Sequence, residues 1–316
     1  MKYDIYFHND FDGRASAAVM LAFLQSRGDD IERFRSVTYG KEAKWYKMDY
    51  FTKGNPAIVV DFAYHPNATW WFDHHSTTFK EEKWGKDWGA SFKPDKQRRL
   101  ETHHPSACGL VYASLRRDFK WKAPKHLAEF VRIADKIDGA GYKTAKETLD
   151  MHDAGIEMNA YIEALDHTAK EDEHMIRLMA AKPLEKVLKD PSIARAVASL
   201  KKKVARSMAF YRKQLRVMGR LSFIDLTPDP LNGLLRYAPY YLYPKIVYNI
   251  RMKRKGTKWY LGVAANPWRR AENKIDIGAL MKRYGGGGHH SVGATEFSTR
   301  AKALAAFGEI AMLVNQ

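Results

Sequence analysis

Two patterns alternate in the first half of the chain. Segments 3–8, 57–62 and 69–73 are apolar and rich in β-branched and aromatic residues, which is typical of strands. Segment 15–25 follows the first of them and is rich in good helix formers. The strands are almost continuously apolar, as in a parallel sheet covered on both faces, so this half predicts an α/β domain. Further helices are predicted at 107–117 and 127–137.

In the second half, the sequence predicts a helical region followed by another α/β domain. Few turn signals interrupt the chain after about residue 155, and segment 192–218 is long, basic and amphipathic, which indicates a connector helix. Two strands joined by a turn are predicted within 246–265, then a helix near 277–283 and a last helix at 300–313. The chain is therefore predicted to form a parallel-sheet domain, a helical connector and a smaller α/β domain, at 1–185, 186–220 and 221–316.

Composition narrows the class of protein. The chain has 316 residues, 45% of them hydrophobic, which is enough for one large or two medium cores. No apolar run approaches the roughly 18 residues of a membrane span, and the charged start of the chain does not resemble a secretory signal. A single cysteine, Cys108, excludes an intrachain disulfide and a multi-cysteine zinc site. We therefore expect a cytoplasmic protein without a membrane partner.

Basic residues outnumber acidic ones, 53 to 36, and the formal net charge is +17. Such a charge favours polyanionic partners through long-range attraction, although solubility alone is an alternative explanation. The basic clusters 201–206, 251–255 and 269–270 lie late in the chain, whereas the acidic residues with a candidate role lie in the first 140 residues. This separation favours a polyanionic substrate.

Three candidate ligands stand at the end of the first predicted strand. His8, Asp10 and Asp12 alternate with other residues, and alternate side chains of an extended chain point the same way. Gly13 then permits a sharp departure into the helix. The carboxyl ends of strands are where open α/β sheets bind ligands. Taken alone, the triplet is equally explained as a solvated turn in which Asp12 caps the helix.

Acidic residues also end the next two predicted strands. Asp61 closes the second strand, and Asp73, His74 and His75 close the third. Burying carboxylates at the ends of apolar strands is costly unless they bind cations or other partners. Carboxylate oxygens together with imidazoles suit Mn²⁺ or Mg²⁺ and differ from a thiolate zinc site. The strand ends together predict a site for divalent cations.

Two more acids, Asp135 and Asp138, are three residues apart in a predicted helix and so lie on one face of it. Asp135 follows the apolar stretch of that helix, which favours it as a site residue. An exposed acidic face is the alternative, and it applies more strongly to Asp138.

Taken in order, these motifs resemble those of the DHH phosphoesterase superfamily. The resemblance rests on His8-x-Asp10-x-Asp12-Gly13, the isolated Asp61, the Asp73-His74-His75 triplet and Asp135. A glycine-rich segment at 285–293 is similar to the signature of the DHHA1 domain that follows in the nuclease-like branch. The superfamily includes single-strand exonucleases, oligoribonucleases (nanoRNases), cyclic-dinucleotide phosphodiesterases, exopolyphosphatases and family II pyrophosphatases. The resemblance implies an N-terminal DHH domain and a C-terminal DHHA1-like domain.

The resemblance also implies two divalent cations, with Mn²⁺ favoured over Mg²⁺ and Co²⁺. The first cation would be bound by His8 and Asp10, and Asp61 would bridge the two cations. The ligands implied for the second cation are Asp12, His74 and Asp135.

A hydrolytic mechanism follows from this implied site. Two cations about 3.5–4 Å apart can share a water, lower its pKa and deliver hydroxide to phosphorus. Asp73 would orient His74 by a hydrogen bond, and His75 would face the scissile phosphate or the leaving oxygen as a general acid. Asp61 and His75 are therefore the candidate catalytic residues.

Residues of the second domain are implied to contact the substrate. Gly286, Gly287 and Gly288 would hold a phosphate, because glycine amides can approach an anion closely. His289 is favoured over His290 as the contacting histidine, since it directly follows the glycines. The other candidate contacts are His104, Ser106 and Arg269. For His104 and Ser106, an ordinary helix N-cap is an equal alternative.

Three functions compete. The first is a nuclease that acts from an end of short or single-stranded oligonucleotides, favoured by the net charge and by aromatic residues beside basic ones at 258–260 and 268–270. For Trp259 or Tyr260 taken alone, packing within a strand is favoured over stacking on a base. The second is hydrolysis of polyphosphate, a nucleoside bisphosphate or a cyclic dinucleotide, and the third is a nucleic-acid-binding module with a silent site. The complete ligand set argues against the third, and we expect the first.

Overall fold

The computed structural model describes residues 1–39, 45, 47, 49–51, 54–79, 81, 83–86 and 95–315. The chain divides into two compact units. The first contains residues 1–141 and 152–196, and the second contains 142–151 and the chain from 197 onward. None of the described helices combines the length and the apolar character that crossing a membrane requires.

The first unit is built on a five-stranded parallel sheet. Its strands are β1 (Lys2–His8), β2 (Asp30–Val37), β3 (Ala57–Val60), β4 (Trp70–Asp73) and β5 (Arg98–Leu100), in the spatial order β2-β1-β3-β4-β5. The central strands β3 and β4 are buried at every position, as expected for strands covered on both faces. The parallel sheet and the α/β fold class are thereby confirmed. Strands β2 and β5 were not predicted from the sequence.

Helices cover this sheet. They are α1 (Phe11–Gln25), α2 (Ala107–Asp118), α3 (Leu127–Asp138), α4 (Ala154–Ala164), α5 (Ala169–Ala181) and α6 (Leu184–Leu188). The first of them, α1, is buried from its first residue to Leu24. Even its charged Arg14 is buried, and the guanidinium donates to the buried Asp172 carboxylate at 2.8 Å. Because α1 is fixed on all sides, the residues at its N-terminus have little freedom to move.

The second unit contains a six-stranded mixed sheet. Its strands are β6 (Arg216–Met218), β7 (Leu221–Asp225), β8 (Tyr248–Lys255), β9 (Lys258–Ala265), β10 (Gly287–His289) and β11 (Val292–Phe297), in the spatial order β10-β11-β9-β8-β7-β6. Among the described pairs of this second sheet, β7–β8 is parallel and the others are antiparallel. Its helices are α8 (Ala238–Leu242), α9 (Ile277–Lys282), α10 (Arg300–Asn315) and most of α7 (Pro191–Gln214), whose first six residues belong to the first unit. The second α/β unit expected from the sequence is thus confirmed.

Segment 142–151 belongs to the second unit although it lies within the first half of the chain. The indole Nε1 of Trp268 donates to the carbonyl of Tyr142 at 3.0 Å, and Ala145 packs with Tyr240 and Ile246 in a small apolar cluster. Three consecutive domains, as expected from the sequence, remain a prediction. In the structure, the chain enters the second unit at 142–151 and then returns to the first unit.

Candidate metal centre

The acidic and histidine residues predicted to form a site stand on neighbouring strands. Strands β1, β3 and β4 are adjacent and parallel, so their carboxyl ends meet at one edge of the sheet. Strand β1 ends at His8, Asp61 directly follows β3, and β4 ends at Asp73, which the two histidines follow. The sheet therefore brings these residues together.

A tight turn shapes the first motif. Asp10 caps α1, accepting a hydrogen bond from the Gly13 amide at 2.9 Å, and its other carboxylate oxygen lies 2.6 Å from Nδ1 of His8. A Cβ atom at position 13 would lie 2.1 Å from the His8 carbonyl oxygen, so only glycine fits there. Burial alone would raise the pKa of Asp10, but the hydrogen bond and the charge of His8 outweigh it and lower the pKa to about 2. Asp10 is therefore the helix cap that the sequence suggested for Asp12.

Asp12 is held by the start of another helix. Its two carboxylate oxygens accept hydrogen bonds from the backbone amides of Ala107 and Cys108, at 2.7 and 2.8 Å, in the first turn of α2. Burial, followed by the negative charges of Asp10 and Asp138, nevertheless raises the pKa of Asp12 to about 7. The two amides were not foreseen as site groups. The signal that could have indicated them is Ser106, which the structure shows as the N-cap of α2.

Asp61 is a buried carboxylate without donors. Its side chain is 1% exposed, and neither of its oxygens accepts a hydrogen bond from the part of the chain that the structure describes. Its backbone has φ of 56°, a conformation that is uncommon for a residue with a side chain and that is often found at functional sites. Burial and the surrounding carboxylates, above all Asp12, raise the pKa of Asp61. A buried acid in this state calls for a cation.

The histidine pair after β4 is oriented by two different acceptors. The ring Nδ1 of His75 lies 2.8 Å from a carboxylate oxygen of Asp73, which also accepts from the backbone amide of His74. The ring Nδ1 of His74 instead donates to the carbonyl of His104 at 3.0 Å. The sequence predicts that Asp73 orients the His74 ring. In the structure, the Asp73 carboxylate lies beside the ring of His75 instead. The hydrogen bond from His74 gives His104 a supporting position through its backbone.

The helix α3 brings Asp138 to the site. A carboxylate oxygen of Asp138 lies 3.1 Å from Nε2 of His74, whereas Asp135 accepts a hydrogen bond from the Ser106 hydroxyl at 2.5 Å. Burial alone would lower the pKa of His74, but Asp138 and the charge of Asp12 outweigh it and raise the pKa to about 9. The role of Asp135 as a ligand stays a prediction, and the carboxylate beside His74 is that of Asp138.

The donor atoms gather into sets that fit divalent cations. Three sets have their ligand atoms within 4.8 Å of one another: His8 with Asp10 and Asp61, Asp61 with His74 and His75, and Asp12 with His74 and Asp138. Asp61 is shared by the first two sets and lies between the strands that carry the others. Mn²⁺ binds both carboxylate oxygens and imidazole nitrogens, whereas Mg²⁺ prefers the oxygens. The residues present therefore fit two neighbouring cations.

The glycine run of the second unit forms a tight turn against the sheet. Cβ atoms at Gly286 and Gly288 would lie 2.2 Å from the carbonyl oxygens of Ala294 and Val292, so the sheet requires glycine there. The amides of Gly285 and Gly286 donate within the turn, to Lys282 and Met281. Gly287 and Gly288 lie in β10, where alternate amides donate to β11, so the binding of an anion by the glycine run stays a prediction.

The other residues predicted to touch substrate have mixed positions. His289 and His290 are both exposed. Arg269 is only partly exposed, and its guanidinium lies 2.7 Å from the Glu272 carboxylate. A substrate phosphate would therefore compete with Glu272 for Arg269, whereas the two histidines are accessible.

Comparisons with known proteins concern the fold. No protein-family model matches the chain, and neither does any curated protein. A pGpG-specific phosphodiesterase, PggH, from Vibrio cholerae has a TM-score of 0.74 at 20% identity, over 99% of each chain. The DHH domain of a member of the s1p family of ribosomal proteins has a TM-score of 0.58 at 14% identity, over 98% of this chain and 86% of that one.

A third similar structure carries a metal. RecJ from Thermus thermophilus in complex with Mn²⁺ has a TM-score of 0.58 at 13% identity, over 99% of this chain and 52% of that one. At identities of this size the likeness establishes the fold. The chain has the fold of the DHH phosphoesterases, and the resemblance drawn from its motifs is confirmed at that level.

Proposed function

We propose that the protein is a metal-dependent phosphoesterase that hydrolyses phosphodiester bonds of short or single-stranded oligonucleotides from an end. The observation that carries the proposal is the state of Asp61. It is a buried carboxylate to which none of the described residues donates a hydrogen bond, and imidazoles and carboxylates from three strand ends surround it. Such a cluster of acids is unfavourable in a fold unless cations compensate it.

The candidate ligands divide into two sets, one for each cation. His8, Asp10 and Asp61 would hold one, and Asp12, His74 and Asp138 would hold the other. Mn²⁺ is the proposed ion, because the set mixes hard oxygens with imidazoles; the similar RecJ from Thermus thermophilus is a Mn²⁺ complex in one structure and a Mg²⁺ complex in another. When bound, the cations supply a water of lowered pKa and neutralise charge on the phosphoryl oxygens.

The chain's own residues complete the site. Nδ1 of His75 lies beside the Asp73 carboxylate, none of the described residues forms a hydrogen bond with Nε2 of that ring, and the His75 side chain is 35% exposed. An imidazole oriented in this way can give a proton to the leaving oxygen of a phosphodiester. The amides of α2 hold both oxygens of Asp12, which fixes the direction in which that carboxylate faces the site. A metal site whose ligands are held in place in this way keeps its geometry and stays accessible to substrate.

Charge and likeness support the substrate class. The net charge of +17 attracts polyanions before they reach the site. PggH, which is named for its action on the linear dinucleotide pGpG, matches this chain over 99% of both lengths. This likeness in fold supports a short linear oligonucleotide as the proposed substrate.

The test is a hydrolysis panel with Mn²⁺. Its substrates are an RNA dinucleotide, a longer single-stranded DNA, 3′-phosphoadenosine 5′-phosphate, cyclic di-AMP and polyphosphate. We expect the dinucleotide to be consumed fastest, the Asp61→Ala variant to be inactive, and Asp118→Asn, a change away from the cluster, to keep its activity. Turnover of polyphosphate or of the bisphosphate alone would overturn the substrate, and full activity of Asp61→Ala would overturn the site.

A further inference from the structure

One surface of the second unit is basic and contains none of the residues of the metal centre. The helix α7 contains seven basic residues and no acidic residue. Its buried side is apolar and includes Leu200, Val204 and Tyr211. An amphipathic helix of this kind places its charges on the side that faces away from the core.

Five exposed cations of α7 define what we call the basic face: Lys202, Lys203, Arg206, Arg212 and Lys213. Lys202, Arg206 and Lys213 are separated by four and seven residues and therefore form one stripe, which at 1.5 Å per residue is about 16 Å long. Ala205 and Ala209 between them are exposed as well. Small side chains between the cations let a long anion approach the helix.

The cations of the basic face have no internal partner. None of the five forms an ion pair or a side-chain hydrogen bond with any residue in the described part of the chain. The carboxylates that α7 contacts accept from its serines and not from these cations: Asp190 accepts from Ser192 at the start of the helix, and the buried Asp229 accepts from the Ser207 hydroxyl at 2.6 Å. The positive charge of this face is therefore uncompensated.

A helix of the same protein shows what a merely solvated surface looks like. In α5, Arg177 pairs with Glu173 four residues earlier, at 2.9 Å, and acidic residues fill the first turn. Pairing of opposite charges at this spacing is the usual arrangement on an exposed helix. On α7 the spacing is the same but both partners are positive, which costs stability unless an anion lies between them.

We propose that the basic face of α7 binds the phosphates of a single-stranded oligonucleotide, as a contact separate from the metal centre. Three aligned cations and two flanking ones can neutralise several successive phosphates of a strand without reading its bases. The face would thereby raise affinity for strands longer than a dinucleotide. This inference extends the proposed function, but strand binding can be measured without catalysis.

The test compares two variants of equal charge. The first carries Lys202→Gln, Lys203→Gln, Arg206→Gln and Lys213→Gln. The second is a control with Lys122→Gln, Lys125→Gln, Lys170→Gln and Lys182→Gln, which are also exposed. Both are made in the Asp61→Ala background, and the dissociation constant for a fluorescent 20-nucleotide single strand is measured in EDTA between 50 and 300 mM NaCl.

The expected readout is the salt dependence of binding. Each lost phosphate contact lowers the slope of log K against log salt by about 0.7, so the first variant should lose roughly three units of slope and the control less than one. Circular dichroism should show both variants folded. In the background with Asp61 intact, dinucleotide hydrolysis should stay within twofold of the parent.

Three outcomes would overturn the inference. Equal slopes in the two variants would show that only total charge matters. An unchanged slope in the first variant would show that the face does not bind strands. A loss of binding to vesicles rich in phosphatidylserine, with the oligonucleotide slope unchanged, would assign the face to a membrane surface. Absence of dinucleotide hydrolysis by the unmodified protein would count against the proposed function and not against this binding.

Discussion

The imidazole of His74 has a carboxylate oxygen of Asp138 3.1 Å from its Nε2 atom, while its Nδ1 atom donates to a backbone carbonyl. A ring fixed at one nitrogen by a carbonyl presents the other nitrogen in a defined direction. Asp138 occupies that direction from the last turn of α3. This pair joins the histidine of β4 to a helix far along the sequence.

The pair predicts which acid of α3 is a ligand. Asp138→Asn should weaken Mn²⁺ binding by about tenfold or more, since a charged oxygen beside His74 is lost. Asp135→Asn should keep the affinity within about threefold, because its amide oxygen can still accept the Ser106 hydroxyl. Isothermal titration of the two variants measures this. A larger loss in Asp135→Asn than in Asp138→Asn would restore Asp135 as the ligand, as the sequence suggested.

Rising pH should destabilise the metal-free protein. The pKa of Asp12 is raised from 3.8 to about 7, mainly by burial, so between these values the folded state holds a proton that the unfolded chain has lost. Stability therefore falls as pH rises through this window. His74 acts in the same direction from 6.5 to about 9, because Asp138 stabilises its protonated form against the opposing effect of burial.

The measurement is the melting temperature at pH 5, 7 and 9. In EDTA it should fall with each step. With Mn²⁺ the fall should be reduced or reversed, because cations bind the deprotonated carboxylates and compete with protons. A melting temperature that rises from pH 5 to pH 9 in EDTA would contradict the assigned pKa directions.

Removing the charge of Asp61 should separate stability from activity. Asp61→Asn is expected to abolish hydrolysis and yet to stabilise the metal-free fold at pH 8 by about 1–3 kcal/mol, because the amide removes the repulsion between the buried Asp61 and the carboxylates around it. The matched change Asp118→Asn should have the opposite sign, since it breaks the 2.6 Å contact with Arg99. Urea unfolding in EDTA compares the two. Destabilisation by Asp61→Asn would mean that its carboxylate is already compensated.

The contact between Asp73 and His75 predicts a kinetic effect without a loss of metal. His75→Ala should reduce the turnover rate about 10²–10⁴-fold, in the range expected for a general acid. Asp73→Asn should reduce it less, because the ring remains and only its orientation is weakened. Both should bind Mn²⁺ within about tenfold of the parent. The rates come from dinucleotide hydrolysis at saturating Mn²⁺, and a substrate with a good leaving group should restore much of the His75→Ala rate.

Local patterns in the sequence were sufficient for the centre of the sheet. β1, β3 and β4 are buried on both faces and therefore read as apolar runs, and the acids that follow each of them lie together because parallel strands end at one edge. The edge strand β2 could not be found in this way. Only every third residue of it is buried, and Arg33 and Arg35 make it look like a loop.

The part of the site that depends on distant packing was beyond the sequence. A spacing of three puts Asp135 and Asp138 on one face of α3. The sequence does not show that Ser106 lies beside Asp135 and donates a hydrogen bond to it, which distinguishes the two acids. The amides that hold Asp12 carry no residue-type signal, because every residue except proline has one. Likewise, the carbonyl of His104 supports His74 through its backbone and not through the side chain that the motif suggested.

The chain passes between its two units three times, after residues 141, 151 and 196. A gene fragment that starts at 197 would therefore encode the second sheet without the segment that carries Tyr142 and Ala145, and the indole of Trp268 would lose its acceptor. Such a fragment cannot be transplanted as a self-sufficient cassette. Exchange of the second unit between related enzymes would require segment 142–151 to be exchanged together with it. The two parts of the chain must therefore be inherited together.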